Sequence, residues 1–335
     1  MRVLSLASAD GLDAVSLETI ALPEPAAGEV RVALKAASLN HRELWIVKGL
    51  YPGMQLPATL GCDGAGVIDA VGEGVDKGRI GEPVVLYPGL NWGDDDRYPA
   101  PAFGLLGMPG PGTLADAICL PSDHAVAKPD HLDFASAAAV PLAALTAWRG
   151  IVTKGGLKAG ETLLVTGIGG GVATYALTFG LAMGANVFVT SGSDETLEKA
   201  LTLGAKGAIN YNTEKWSKSL SQQSGGIDLV FDGAPAGGYK NYGRALNMGA
   251  RVVVYGSTGG MSFDVNAPEL FLKNITLIGT NVGNLHEFKA MMAFVAKHSI
   301  MPVIDRSFAL ADAKAALTYL ETSHGFGKVV IDIGN

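Results

Sequence analysis

Cysteine is almost absent: Cys62 and Cys119 are the only two in 335 residues. Within one chain that excludes a disulfide framework and a four-cysteine zinc site, and it fits a reducing compartment. Charge is also scarce, at 17% of residues, and its balance is acidic, with 32 Asp and Glu against 25 Lys and Arg for a net charge of −7. A general binder of nucleic acid or anionic membranes needs a basic face, so neither partner is expected. No run approaches the ~20 uninterrupted apolar residues of a spanning helix. Residues 1–7 soon meet Asp10 and Asp13 and lack the apolar core and cleavage pattern of a signal peptide. The expectation is a soluble, cytoplasmic protein.

What the chain has in quantity is apolar surface. Hydrophobic residues make up 48% of 335 positions, enough for a large core and two domains of ordinary size. That composition excludes disorder as the main state. The first third reads as β-structure: residues 30–36 alternate as a half-buried strand does, and 64–72 and 81–87 form two more strands. Residues 88–112 make a long loop rich in Gly, Pro and Asp, of the kind that serves as a lid, an interface arm or a mobile segment. Alanine-rich helices follow at 134–140 and 142–148. After Gly160, strands at 162–166, 186–190, 207–210, 228–232, 251–255 and 275–279 alternate with helical runs such as 172–183 and 194–203. That alternation predicts an α/β fold with a doubly wound parallel sheet covered on both faces.

The strongest motif opens this series. An apolar strand ending at Val165 runs into Thr166-Gly167-Ile168-Gly169-Gly170-Gly171-Val172-Ala173 and then a helix. Glycines let the backbone approach a pyrophosphate, and the free N–H groups of the new helix hold its charge. Gly169, Gly170, Gly171 and Val172 are the expected contacts. The next strand selects the cofactor. An NAD site places a carboxylate at its end to bind the ribose hydroxyls. Here that end reads Thr190-Ser191-Gly192-Ser193, and Asp194 and Glu195 fit better as the acidic first turn of a helix capped by Ser193. Ser191, Ser193 and Tyr211 can bond a 2′-phosphate, so NADP is expected in preference to NAD. The nearest base, Lys199, reads equally as a solvated helix residue.

Several segments now combine. They are Leu39-Asn40-His41-Arg42-Glu43-Leu44-Trp45, Gly49-Leu50-Tyr51-Pro52, Leu60-Gly61-Cys62-Asp63-Gly64, Ala139-Val140-Pro141-Leu142, Leu145-Thr146-Ala147-Trp148 and the glycine turn. With them the chain resembles the medium-chain dehydrogenase/reductase superfamily over nearly its whole length, and most of all its zinc-independent quinone oxidoreductase branch. The resemblance implies a GroES-like catalytic domain at 1–125, completed by 275–335, and a Rossmann domain at 126–274, with the active site in a cleft. Zinc members carry Cys, His and Cys ligands, with a glutamate beside the histidine. Those positions read Asn40, Cys62 and Leu142 here, with Asp63 beside Cys62, so no metal is expected.

The resemblance also assigns residues. Asn40 lies near the nicotinamide, Tyr51 is a cleft tyrosine and Trp45 replaces another, which makes these three the candidate catalytic residues. Thr146 falls on the nicotinamide side, and His41 and Lys328 reach the pyrophosphate. The turn Gly256-Ser257-Thr258 borders the cofactor. Thr196 stands where NADP-using members often carry a lysine. From the residues alone, His41, Arg42 and Glu43 equally describe a solvated helix turn, and Tyr51 and Trp45 describe packing aromatics. The expected activity is NADPH-dependent reduction of a quinone or an α,β-unsaturated carbonyl. An alcohol dehydrogenase or carbonyl reductase, and a non-catalytic NADPH-binding protein, are the alternatives. The apolar segment 273–283, read as the last strand of the sheet, predicts a homodimer paired edge to edge.

Overall fold

The computed structural model describes residues 1–323 and 325–334. The chain forms two compact units, Met1–Ala143 with Gly283–Asn335, and Ala144–Val282. Both boundaries fall later than the expected 125/126 and 274/275. The helix Phe134–Ala138 packs on strands of the first unit, where Ala137 and Ala138 are fully buried. The strand Thr276–Gly279 pairs within the sheet of the second.

The first unit is built around the strand Glu29–Leu39. Its burial alternates as far as Ala36, with Val30, Val32, Leu34 and Ala36 inward, and it becomes continuous from Ala36 to Leu39. Antiparallel neighbours are Asp63–Val71, Ala117–Pro121 and Lys328–Asp332. Pro83–Leu86 extends the sheet on one side, and Ile304–Ala309 on the other. The register sets Ser38 opposite Asp63 and Leu39 opposite Val329, which brings three distant stretches of chain to one end of the strand. The strand stops at Asn40, which caps the helix His41–Val47 in a reciprocal capping box with Glu43.

The segment 88–112 has its own structure. Gly89–Leu90 and Gly104–Leu105 pair antiparallel, and Trp92 meets Phe103 edge to face with centroids 5.1 Å apart. Trp92, Leu105, Leu106 and Met108 are buried. A loop that buries such side chains gains hydrophobic stabilisation of its own, which the Gly, Pro and Asp content does not reveal.

The second unit is a parallel sheet in the order Gly207–Asn210, Asn186–Ser191, Thr162–Val165, Ile227–Asp232, Leu246–Val254, Thr276–Gly279. This is the doubly wound order, reversing between its first and fourth strands in sequence. Thr162–Val165 is buried at every position, as a strand covered on both faces must be. The helix Gly171–Ala182 lies close on the sheet at Gly180, where a Cβ would come within 2.8 Å of Leu163 and 2.9 Å of Val187. Thr276–Gly279 is the edge strand, and it is mostly exposed. Among the described residues no helix is long and apolar enough to cross a membrane.

Candidate active site

In the first unit the sheet register gathers a buried polar cluster. Asp63 is fully buried. Its Oδ2 accepts from Asn40 Nδ2 at 2.8 Å and from Lys328 Nζ at 3.0 Å, and its Oδ1 accepts the backbone N–H of Leu142 at 2.8 Å. Ser38 Oγ lies 3.0 Å from Asp63 Oδ2 and 2.9 Å from the carbonyl of Ala138, and its single proton serves one of them at a time. Lys328 Nζ also donates to Asn40 Oδ1 at 2.6 Å and to the Leu39 carbonyl at 2.8 Å. An ammonium that is 3% exposed costs several kcal/mol to desolvate, and Asp63 offsets that cost.

Lys328, expected at the pyrophosphate, directs its three protons to three acceptors inside the first unit. The physical reason is the pairing of Val329 with Leu39, which sets Lys328 beside Asn40.

A second layer supports Asn40. Glu43, fully buried, accepts the Asn40 backbone N–H at 2.7 Å on Oε2 and Arg42 Nη1 at 3.2 Å on Oε1. Burial pushes the Glu43 carboxyl up, with Arg42 pulling the other way. The Arg42 guanidinium lies 4.9 Å from the Tyr51 ring centroid and donates to the Leu106 carbonyl at 2.9 Å. Cys62 is fully buried, with Sγ 3.5 Å from Asn40 Nδ2. Burial first, then Glu43 and Asp63, hold its thiol well above the usual range, so it is neutral at physiological pH.

Trp45 stands apart from this cluster. It shares the outer face of its helix with His41, four residues back, and both line a depression of about 390 Å³ with Leu44, Leu50 and Leu320. Lys48 and Glu321 form an ion pair of 2.7 Å at the same depression. The His41 ring is held below the usual histidine range, by desolvation and then by the charge of Lys328.

The second unit holds a cavity of about 500 Å³ at the carboxyl ends of its strands. Thr166, Gly167, Thr190, Tyr211, Gly233, Tyr255 and Thr258 line it. Gly167 has φ of +62° and Gly169 of +147°, and space is open where a Cβ would stand at Gly167 and Gly170. Gly170 caps the helix Gly171–Ala182 without a side chain, so the first N–H groups at Gly171 and Val172 are left for an anion. These features fit a dinucleotide.

The helix cap expected at Ser193 is present. Ser193 Oγ caps the helix Asp194–Thr202 by accepting Thr196 N–H, and Ser191 Oγ accepts Ser193 N–H at 3.2 Å. Asp194 is engaged by Asn210 at 2.6 Å, and Glu195 by Lys199 at 2.7 Å. Tyr211 and Thr258 line the cavity, and Thr258 N–H donates to the Gly233 carbonyl at 3.0 Å, which fixes the turn carrying Gly256 and Ser257. Thr146 is buried on the helix Pro141–Trp148.

Sequence reasoning missed Asp232. It is fully buried beneath the cavity and accepts from Thr166 Oγ1 at 2.6 Å, Ala234 N–H at 2.8 Å and Tyr242 OH at 2.6 Å. The signal was an acid closing an apolar strand just before Gly233. It also missed Ser38, Glu43 and the Asp63–Lys328 pair, whose members stand 265 positions apart.

The residues at the zinc positions do not fit that metal. Leu142 has an apolar side chain and its N–H donates to Asp63, both Asn40 polar atoms are engaged, and an ammonium lies 3.0 Å from the Asp63 carboxylate. Among the described residues no group of three or more His, Cys, Asp or Glu could hold a metal ion.

Comparison with known proteins agrees with this architecture. Residues 26–130 match the family model of the alcohol dehydrogenase GroES-like domain, and 171–297 that of the zinc-binding dehydrogenase. A zinc-type alcohol dehydrogenase-like protein of Leptosphaeria maculans is 37% identical, covering 95% of this chain and 94% of its own. A quinone oxidoreductase of Lama guanicoe is 29% identical over 99% of this chain and 97% of its own. The crystal structure of an NAD-dependent alcohol dehydrogenase superposes with a TM-score of 0.94 at 34% identity, covering 100% of both chains. A dinucleotide cradle on a doubly wound sheet, a GroES-like unit around Asn40 and these full-length likenesses make the chain an oxidoreductase of the medium-chain dehydrogenase/reductase superfamily.

Proposed function

We propose that this oxidoreductase uses NADPH to reduce a quinone or an α,β-unsaturated carbonyl, without a metal. The observation that carries the reading is the Asn40–Asp63–Lys328 cluster. It supports the reading because a buried ammonium and an engaged amide at these positions are not the open ligand set that catalytic zinc needs. The cofactor supplies hydride. This chain's task is to hold the substrate and to stabilise the negative charge that develops on its oxygen. Asn40 Nδ2 and the Tyr51 hydroxyl are the donors assigned to that oxygen. Activated acceptors suit such a site, because charge spread over an enolate or a quinone oxygen is met by hydrogen bonds alone. The preference for NADPH rests on Ser191, where a carboxylate would repel a 2′-phosphate.

A second reading, reduction of aldehydes or ketones, draws on the alcohol dehydrogenases among the similar proteins. One assay separates the two: NADPH oxidation with 1,4-naphthoquinone, an enone and an aldehyde at matched concentrations. Turnover confined to the aldehyde refutes the first reading. We also propose a homodimer through the edge strand Thr276–Gly279.

A further inference from the structure

A carboxamide presents a donor and an acceptor, and half a turn about its last bond exchanges them. In Asn40 that exchange is opposed from both sides. Lys328 Nζ, which can only donate, lies 2.6 Å from Oδ1, and the Asp63 carboxylate, which can only accept, lies 2.8 Å from Nδ2. A half turn would set the NH₂ against an ammonium and the carbonyl against a carboxylate. We infer that Lys328 is a positioning residue: with Asp63 it locks the Asn40 carboxamide so that one Nδ2 proton stays available to a substrate oxygen.

The geometry leaves that proton poorly employed. One Nδ2 proton is committed to Asp63, and the other partner of Nδ2 is Cys62 Sγ, at 3.5 Å. A neutral thiol is a weak acceptor, so a substrate oxyanion competes with it easily. The Lys328 ammonium is saturated by Leu39, Asn40 and Asp63. Ser38 and the Leu142 N–H complete the shell of Asp63 and hold the carboxylate in place.

The inference rests on the proposed role of Asn40 as donor, and the test separates the two. Asn40→Ala, the double variant Asp63→Asn/Lys328→Met and the wild type are compared for kcat with 1,4-naphthoquinone and for the NADPH dissociation constant. The double variant removes both charges together, so no unpaired ion is left buried, and it leaves two amides with no fixed direction. Asn40→Ala is expected to lose roughly 100-fold in kcat, the size of one oxyanion donor. The double variant is expected to lose at least about tenfold in kcat, with an NADPH constant within about threefold of wild type. Wild-type kcat in the double variant, beside a crippled Asn40→Ala, overturns the positioning role alone. Full activity in Asn40→Ala overturns the reading beneath it, and the inference with it. An NADPH constant that rises tenfold in the double variant puts the ammonium on the cofactor and also overturns the inference. If the double variant does not fold, Lys328→Arg decides the question. It keeps the charge but cannot bring one nitrogen to all three acceptors, so kcat should fall while NADPH binding holds, and unchanged kcat refutes the role.

Discussion

Thr166 Oγ1 donates to Asp232 Oδ1 at 2.6 Å, tying together the ends of two neighbouring strands beneath the nucleotide cavity. The same carboxylate accepts from Ala234 N–H and Tyr242 OH, so three donors depend on one buried acid. Asp232→Ala leaves all three unpaired and is expected to cost about 3 kcal/mol or more. Asp232→Asn retains the shape and at least one acceptor, and should cost less. Thermal unfolding of the two variants checks the order. Equal midpoints for Asp232→Ala and wild type would remove Asp232 from the frame of the site.

The proposed preference for NADPH is tested at Ser191. The strand Asn186–Ser191 ends without a carboxylate, and the acids that follow are held by Asn210 and Lys199. Ser191→Asp should therefore repel a 2′-phosphate and accept from a free 2′-hydroxyl. The ratio of kcat/KM for NADPH to NADH is expected above one in wild type and below one in the variant. A wild type that already favours NADH refutes the reading of this strand.

A role for His41 at the phosphates predicts a pH dependence. The folded pKa of His41 lies below the ordinary value because of desolvation and then Lys328, so the free ring is neutral at pH 7. If the cofactor diphosphate approaches this ring, the charged form gains and the pKa rises on binding. Binding then takes up a proton, and affinity grows as pH falls towards the lowered pKa of the free ring. His41→Gln should flatten that part of the profile measured by NADPH titration. Identical profiles for wild type and variant would take His41 away from the phosphates.

The proposed homodimer makes a prediction about the outer strand. Leu277 on Thr276–Gly279 is 37% exposed, and Phe271 and Leu272, on the helix leading into it, are 65% exposed each. Unpaired edge groups beside apolar side chains favour pairing with a second copy. Light scattering at micromolar concentration should give twice the chain mass, and Leu277→Pro should give monomer or aggregate. A wild-type monomer across that range contradicts the proposed dimer.

The second unit is the more legible in sequence, and the reason is physical. Parallel strands buried on both faces are short apolar runs between turns, so Thr162–Val165 and Gly207–Asn210 stand out in the chain itself. Glycine turns announce the helix after the first strand. The first unit hides more. Arg2–Leu6 and Val15–Thr19 pair with each other across residues 7–14, where Asp10-Gly11 marks the turn, but Ala117–Pro121 pairs with a strand far back in the chain and has no local turn signature. Asn40 and Cys62 are visible as site positions through resemblance. What Asn40 touches depends on Lys328, 288 residues away, and only the register of Val329 against Leu39 sets the direction of that lysine.

The proposed chemistry is metal-free hydride transfer to an activated acceptor. The most direct test is steady-state NADPH oxidation with 1,4-naphthoquinone, using protein dialysed against a strong chelator and assayed for bound zinc. The cluster around Asp63 predicts substoichiometric zinc and an unchanged kcat/KM after dialysis, with the aldehyde a poor substrate throughout. Stoichiometric zinc, with turnover lost on its removal and regained on its return, would contradict the account.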